Sequence, residues 1–558
     1  MLDRTEGRAV MKNRVNEIIL ISKENDWEKF IKSQIINNTN FEIEENYLPK
    51  NYLDKLFTEL LDTELAEGSY YTFNLNSKIF SKRKVLDLSL VTNDVDKFGE
   101  LNKVSKFEFR TKEFNEIAKD LKANHSSLVD PLVGIFKGHY RGIADSMPLI
   151  AFDAKLGTRS FDAYGRANTY KKAYFTGLLE GLERFHSVGS IHTQAIIASE
   201  KELIDSGKAF VPFQKFCHYT WEHYRSRHFE LGIYSPEKPI RWINTYSVKE
   251  EREILIPEQI AYFSSEQVLI ETDEEKYISE TSNGTAVGSC WTEAAIAGIF
   301  ELIERDSFLV YWYTKSSPIK VTNLMECQDK EIKMILGYIN MMDYEPHLFD
   351  ITLESNVPTY WLLLEYKGDD PDALSFYTAA GSNLNPYSAI KSAFVEATTS
   401  IKVFKEYMYK KYSIEEMEKL KRDFNEVKKL EDHLYLYSSE TMKQYLDFAL
   451  KTGKNEELKS NMMKRLPDDK EISQSKLLHD IVSRITEDEN DIYITDLSTK
   501  FLTDIGLSCV KVHIPEYQNI GFGSQYQNVN LERLMNAIKL NNLDGNLDDI
   551  YQAPHPFP

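Results

Sequence analysis

Only four cysteines occur in 558 residues, and Cys217, Cys290, Cys327 and Cys509 are widely spaced with no C-x-x-C pair among them. That spacing argues against a disulfide framework or a structural zinc ribbon and fits a reducing cytoplasm. Long apolar runs are missing too: none approaches the roughly 18 to 20 residues that a bilayer-spanning helix requires. The one N-terminal apolar block, Ile18 to Ile21, is about half the usual h-region length, so no signal peptide is expected. Basic charge is scarce, with 67 Lys+Arg against 87 Asp+Glu and a formal net charge of −20. Without a basic tail or arginine stripe, neither nucleic acid nor an anionic membrane is an expected partner. Two phosphate-binding signatures are also absent. There is no G-x-x-x-x-G-K-[ST], and Gly521-Phe522-Gly523 lacks the third glycine of a dinucleotide fingerprint.

What is present is an ordinary globular composition, 42% hydrophobic and 28% charged, in a chain long enough for two or more domains. Residues 1–120 read as a small N-terminal domain of unknown role with no motif that carries chemistry. Within it Tyr52 to Leu61 has helical spacing and Lys78 to Leu90 is strand-like near its end. Met11 is an alternative start to Met1. The texture changes near residue 120, and residues 121–558 read as one α+β domain of mixed sheets backed by helices. Helices are expected at about 167–186, 290–313 and 387–410. Strand-like runs are Leu149 to Phe152, Thr359 to Tyr366, Asp491 to Asp496 and Cys509 to Ile514. The Lys- and Glu-rich stretch at about 405–470 reads as a solvated helical insertion.

Acids stand where the pattern calls for apolar residues. In the first helix Glu180 and Glu183 are three apart and share a face. In the second, at about 100° per residue, Glu301 lies roughly 80° and Glu304 roughly 20° from Glu293 around the axis, so the three form one stripe. A helix otherwise this apolar is expected to be buried. Buried carboxylates cost several kcal/mol each unless paired, protonated or bound to cations, and Arg184 and Arg305 cannot neutralise five of them. Magnesium takes hard oxygen ligands and usually arrives with nucleotide phosphates. The arginines then face phosphate or pair with the acid four residues earlier, Glu180 or Glu301. The pattern Glu-x-x-Glu-Arg occurs twice. Each copy follows a glycine-containing stretch read as a turn, Tyr164-Gly165-Arg166 and Asn283 to Gly288, whose N–H groups would approach phosphate. A third helix adds Ser392 and Glu396.

These motifs together resemble the YcaO family over roughly residues 125–558. The resemblance implies a YcaO-type fold and an unusual ATP site. In that site Glu180, Glu183, Glu293, Glu301 and Glu304 hold Mg2+, and Arg305 faces phosphate. Arg166, Arg184, Ser289 and Glu396 complete the implied nucleotide-binding set. Departures from the family pattern are Thr176 for Ser, Ala297 at the matching position of the second helix, Ser289 where some members have Asn, and Thr399 and Ile401 where Gln and Arg are common. The terminal Pro554-His555-Pro556-Phe557-Pro558 is similar to the Pro-x-Pro-x-Pro end of azoline-forming members. Alternating prolines favour an extended polyproline II strand, so the Pro558 carboxylate can be delivered to a defined place; the resemblance makes it the candidate catalytic general base or proton shuttle.

The resemblance implies ATP-dependent cyclodehydration of Cys, Ser or Thr in a ribosomally made precursor peptide, within a bacteriocin-like natural product pathway. The implied partners are the precursor peptide, a separate E1-like (ThiF-like) leader-binding protein, a flavin dehydrogenase of the same pathway, and a second copy in a homodimer. Thioamide or macroamidine formation at the same ATP site is the nearest alternative reading. A non-catalytic docking scaffold is the alternative from another class.

Overall fold

The computed structural model describes residues 3–5, 8–12, 17–21, 69–74, 80–84, 86–88, 103–105 and 107–557, the last range with breaks at 131–133, 143–146, 157–158, 189–194, 264–274, 280, 468–469, 487–489 and 549. The expected helix Tyr52 to Leu61 and Pro558 lie outside the described residues.

The N-terminal strands Asp3–Thr5, Arg8–Lys12, Glu17–Ile21, Ser69–Asn74 and Phe80–Lys84 form an antiparallel sheet in sequence order. It is tied to the rest of the chain: the Tyr70 hydroxyl donates to the buried Asp130 carboxylate at 3.0 Å, and Leu86 and Leu88 join the core beneath the next sheet. That next sheet is a three-stranded meander, Phe136–Arg141, Leu149–Leu156 and Arg159–Arg166. A six-stranded sheet follows in the order Ile196–Ala198, Ile240–Ser247, Tyr493–Asp496, Ser508–His513, Thr285–Gly288, with Arg252–Pro257 also paired to Ile240–Ser247. The last large sheet runs Phe376–Ser382, Thr359–Tyr366, Tyr344–Asp350, Ile319–Thr322, Asn455–Glu457. Its Thr359–Tyr366 strand is buried from Thr359 to Glu365 because it has strands on both sides and helix above.

Three long helices back these sheets: α1 (Tyr170–Ser187), α2 (Trp291–Thr314) and α3 (Pro386–Lys411). α1 starts at the Thr169 side-chain cap and α3 at the Asn385 cap with Pro386 in its first turn. Each lies within a few residues of where the apolar spacing puts it. α2 runs from the six-stranded sheet to the last large sheet, so Trp291 to Ile303 pack in one core and Phe308 to Tyr313 in another. No helix among the described residues is long and apolar enough to cross a membrane.

Two expectations need correcting. Tyr164-Gly165-Arg166 is the end of a strand, not a turn, and of the Asn283 to Gly288 stretch Thr285–Gly288 is a strand paired with Ser508–His513. Gly165 serves close packing: a Cβ there would strike the carbonyl of Ala173 in α1, and one at Gly381 would strike that of Ala389 in α3. The stretch 405–470 is largely helical but not solvated throughout. Leu434, Tyr435, Leu436 and Tyr437 are buried in the main core, and Asn455–Glu457 pairs in parallel with Ile319–Thr322. Its high charge conceals a minority of apolar positions that sit at core-facing spacing.

Candidate active site

Twenty of the 24 residues of α2 are buried, and the exceptions are Ala297, Glu301, Glu304 and Arg305. Their spacing of four, three and one places them on one stripe, so a narrow cleft opens along the face where the acids stand. Glu183 of α1 and Glu396 of α3 reach the same cleft. Burial lifts Glu183 well above its ordinary range, and Glu301 and Glu180 add to that against Arg184. Burial also raises Glu301, opposed by Arg305, by the Gly284 N–H that donates to it at 3.1 Å and by Lys511, while Glu396 pushes it further up. Glu304 is pushed up to about 8 by burial, with Arg305 and the Ser382 N–H opposing and Glu396 and Glu301 adding. Glu183 and, on α2, Glu301 and Glu304 are therefore held in a state that favours protons over charge, and the charge of Glu396 on α3 adds to the repulsion.

Glu293 sits about three turns back on α2 and is 1% exposed. Its Oε2 accepts from the Ser289 hydroxyl at 2.5 Å, the Thr111 N–H at 3.1 Å and the Thr111 hydroxyl at 3.3 Å. Its Oε1 takes the Arg110 guanidinium at 3.4 Å. A segment read as free of chemistry thus supplies two partners of a candidate ligand. Nothing in the sequence flags Arg110 or Thr111, because the contact closes a loop of about 180 residues and neither carries a local motif. Phe109 beside them packs edge-on against Phe300 of α2, ring centroids 5.4 Å apart, which fixes that segment over the helix.

The arginines divide. Arg184 is tied to Glu180 at 2.8 Å and to the carbonyl of Asp162 at 2.7 Å, so it takes the local pairing open to it rather than a cleft-facing position. Among the described residues Arg305 makes no such bond at Nε or Nη1: both atoms are buried without a hydrogen-bond partner there, and the acid beside it is Glu304 at 3.9 Å. The Nε of Arg166 and the Nδ2 of Asn283 are likewise buried and unpartnered. Tyr377, raised by burial, feels both Glu396 and Arg166, which places Arg166 on the α3 side of the cleft. Arg305 is covered by the C-terminal tail, its guanidinium carbon 4.1 Å from the centroid of the Phe557 ring.

This donor set fits a magnesium nucleotide. Carboxylates that repel one another need a hard cation, and buried guanidinium nitrogens without acceptors need an anion. A Mg2+–phosphate group answers both demands in one cleft. Of the sequence-derived residues, the structure brings Glu180, Glu183, Glu301, Glu304, Arg305 and Glu396 together, with Arg166 at the α3 edge. Glu293 and Ser289 lie at the far end of the same helix. Lys511, whose Nζ donates to the carbonyl of Thr281 at 2.8 Å and whose charge reaches Glu301, is a cleft-side cation that no sequence motif marks.

Comparison with known proteins bears on the family and the fold. The sequence model of the YcaO cyclodehydratases, described as ATP- and Mg2+-binding, matches residues 164–518. No curated protein sequence matches the chain. Among solved structures, a heterocyclase in complex with substrate and cofactor is similar at 16% identity and a TM-score of 0.72, covering 97% of this chain and 76% of that one. The heterocyclase TruD is similar at 15% identity and 0.62, covering 97% and 74%. YcaO from Methanopyrus kandleri, bound with AMPPCP and Mg2+, is similar at 15% identity and 0.51, covering 73% and 92%. These likenesses establish a shared α+β fold.

Proposed function

Since this chain belongs to the YcaO family, an ATP- and Mg2+-binding group of enzymes, we propose that it is an azoline-forming cyclodehydratase acting on Cys, Ser or Thr of a ribosomally made precursor peptide. The observation that carries the reading is the cleft itself, where four mutually repelling carboxyl groups face a buried guanidinium with two unpartnered nitrogens. A scaffold with no cation or phosphate to bind has no use for that arrangement.

The reaction joins a substrate thiol or hydroxyl to the carbonyl carbon of the preceding amide. The amide oxygen is a poor leaving group, and bound ATP supplies the phosphoryl group that makes it a good one. Loss of that oxygen as phosphate, with loss of the amide proton, closes the C=N bond of a thiazoline or (methyl)oxazoline. In this reading Glu180, Glu183, Glu293, Glu301 and Glu304 would hold the magnesium. Arg305, with Arg166 at the α3 edge, meets the phosphate charge that develops in the transition state. Glu293 would be oriented for that role before a metal arrives, since one of its oxygens is already held by Ser289 and Thr111. In this reading the Pro558 carboxylate is the base that takes the proton. The precursor peptide, an E1-like leader-binding protein and a flavin dehydrogenase that oxidises the rings are the partners of this reading, in the cytoplasm and as a homodimer.

Mass spectrometry of a cognate peptide, incubated with the chain, ATP, Mg2+ and an intact leader-binding partner, tests the proposal. Loss of water that requires ATP, and that disappears with Glu304→Gln and falls sharply on deletion of Pro558, is the expected result. Gain of sulfur, or an amidine in place of an azoline, moves the chain to a different YcaO reaction. No ATP turnover in the wild type, with the partner present, overturns the enzymatic reading.

A further inference from the structure

Residues 553–557 run through the core, with His555 and Phe557 fully buried. Prolines donate no backbone N–H, and side chains take up the carbonyls that the tail presents. The Trp312 indole donates to the carbonyl of Ala553 at 3.0 Å, the Tyr437 hydroxyl to that of Pro554 at 2.8 Å, and His433 Nδ1 to that of His555 at 2.8 Å. His433 is itself fixed. The Gly523 N–H donates to its Nε2 at 3.0 Å, which leaves Nδ1 as the donor and selects one neutral tautomer. The two imidazoles stack with centroids 4.4 Å apart, and His555 Nε2 meets the carbonyl of Gly521 at 3.1 Å. The run ends with Phe557 against Phe308, centroids 4.8 Å apart, its ring face turned to the Arg305 guanidinium.

A guanidinium held by its face keeps its edge donors free, and the edge is what meets a phosphate in a bidentate pair. The buried, unpartnered Nε and Nη1 of Arg305 match that state. We infer that the C-terminal tail, clamped by His433 and Tyr437, is a positioning element for Arg305, with Phe557 holding the guanidinium plane so that its edge faces the transferred phosphoryl group. This rests on the nucleotide reading of the cleft. It also gives the segment around 430–437 a role: its side chains set the tail, and through the tail they set an arginine of the acid-lined cleft.

The test uses the full chain and two independent measurements. In the first, phosphate release from Mg2+–ATP is compared with affinity for Mg2+–AMPPCP. Phe557→Leu, which keeps an apolar side chain but loses the ring face, lowers kcat by about tenfold or more while affinity changes by less than about threefold. Phe557→Tyr stays within about threefold of wild type. His433→Ala reproduces the Phe557→Leu loss, and the double variant is no worse than either single one, because both act through one contact. His433→Asn, which retains a donor near the position of Nδ1, recovers most of the rate and guards against a mere folding defect. In the second measurement, phenylglyoxal modification of Arg305 is followed by peptide mass spectrometry without nucleotide; it is slow in wild type and several-fold faster in Phe557→Ala and His433→Ala. Unchanged modification of Arg305 overturns the clamp. A Tyr variant as slow as Leu, or an affinity loss equal to the rate loss, overturns the positioning role. Faster modification in a chain whose wild type fails to bind Mg2+–AMPPCP removes the nucleotide reading and the coupling to phosphate, and leaves only the docked tail.

Discussion

Glu293 and Glu304 occupy the same face of α2, about three turns apart, yet they live in opposite surroundings. Glu293 is covered by the 107–111 segment and receives three hydrogen bonds on one oxygen, from Ser289 and Thr111. Glu304 lines the open cleft, where burial and neighbouring acids outweigh Arg305 and a single N–H and lift it to about 8. A carboxylate held on one oxygen is oriented before any metal arrives, and its removal leaves donors unsatisfied. A carboxylate held mainly against its neighbours is a source of strain that a cation relieves. The same residue type at helical spacing therefore has two kinds of effect, and substitution should separate them.

The largest effect belongs to Glu304→Gln, which is expected to reduce ATP turnover by about 10²- to 10³-fold. The same change should raise thermal stability in magnesium-free buffer at pH 8, because it deletes a repelling group; a phosphate-release assay and thermal melts check both. Glu293→Gln is expected to weaken Mg2+ affinity by about 10- to 100-fold and, with the opposite sign, to destabilise the fold by about 1–3 kcal/mol. Its amide oxygen can keep the Ser289 and Thr111 donors, but the new NH2 group is then set against the Arg110 guanidinium. Finding the same sign of stability change for both variants would break the contrast.

The pH dependence has the sign that Glu304 sets. Its folded pKa is raised, so between the ordinary carboxylate value of 4.5 and about 8 the folded chain holds a proton that the unfolded chain has lost. Stability without magnesium therefore falls as pH rises through that window, by about 1.4 kcal/mol per pH unit for this carboxyl at most. Mg2+ with AMPPCP should flatten the slope, and denaturant titrations from pH 5 to 8 measure it. Smallest is Ser289→Ala, which removes one hydrogen bond to Glu293 and should cost about 1 kcal/mol of stability, with a few-fold weaker Mg2+ binding in a calorimetric titration.

Much of the fold was legible because it follows from local pattern. The apolar spacing placed α1, α2 and α3 within a few residues of their observed ends, and the run Thr359 to Tyr366 matches its strand. Tyr164-Gly165-Arg166 reads as a turn but is a strand end, because a glycine that admits a close helix looks the same in sequence as one that admits a bend; Asn283-Gly284 does turn, with Gly284 at φ +78°, before the strand begins at Thr285. The 405–470 segment was misread because charge frequency says nothing of which few positions face inward. The cleft acids were legible as residues that conflict with their apolar surroundings. Arg110, Thr111, Lys511 and His433 were not, since each acts through a contact distant in sequence and no local rule reports such a contact.

By itself the sequence determined that α2 would be buried and would carry acids on one stripe, because a period of 3.6 residues fixes which side chains share a face. It also determined that those acids needed a counter-charge, since no nearby basic residues balance them. Only the tertiary structure decided which acids meet. Packing brought Glu183 and Glu396 from other helices against Glu301 and Glu304, folded the 107–111 segment over Glu293 and laid Phe557 on Arg305. The charge state of a carboxyl group depends on the dielectric and the charges within a few ångströms, and that neighbourhood exists only once distant parts of the chain have packed together.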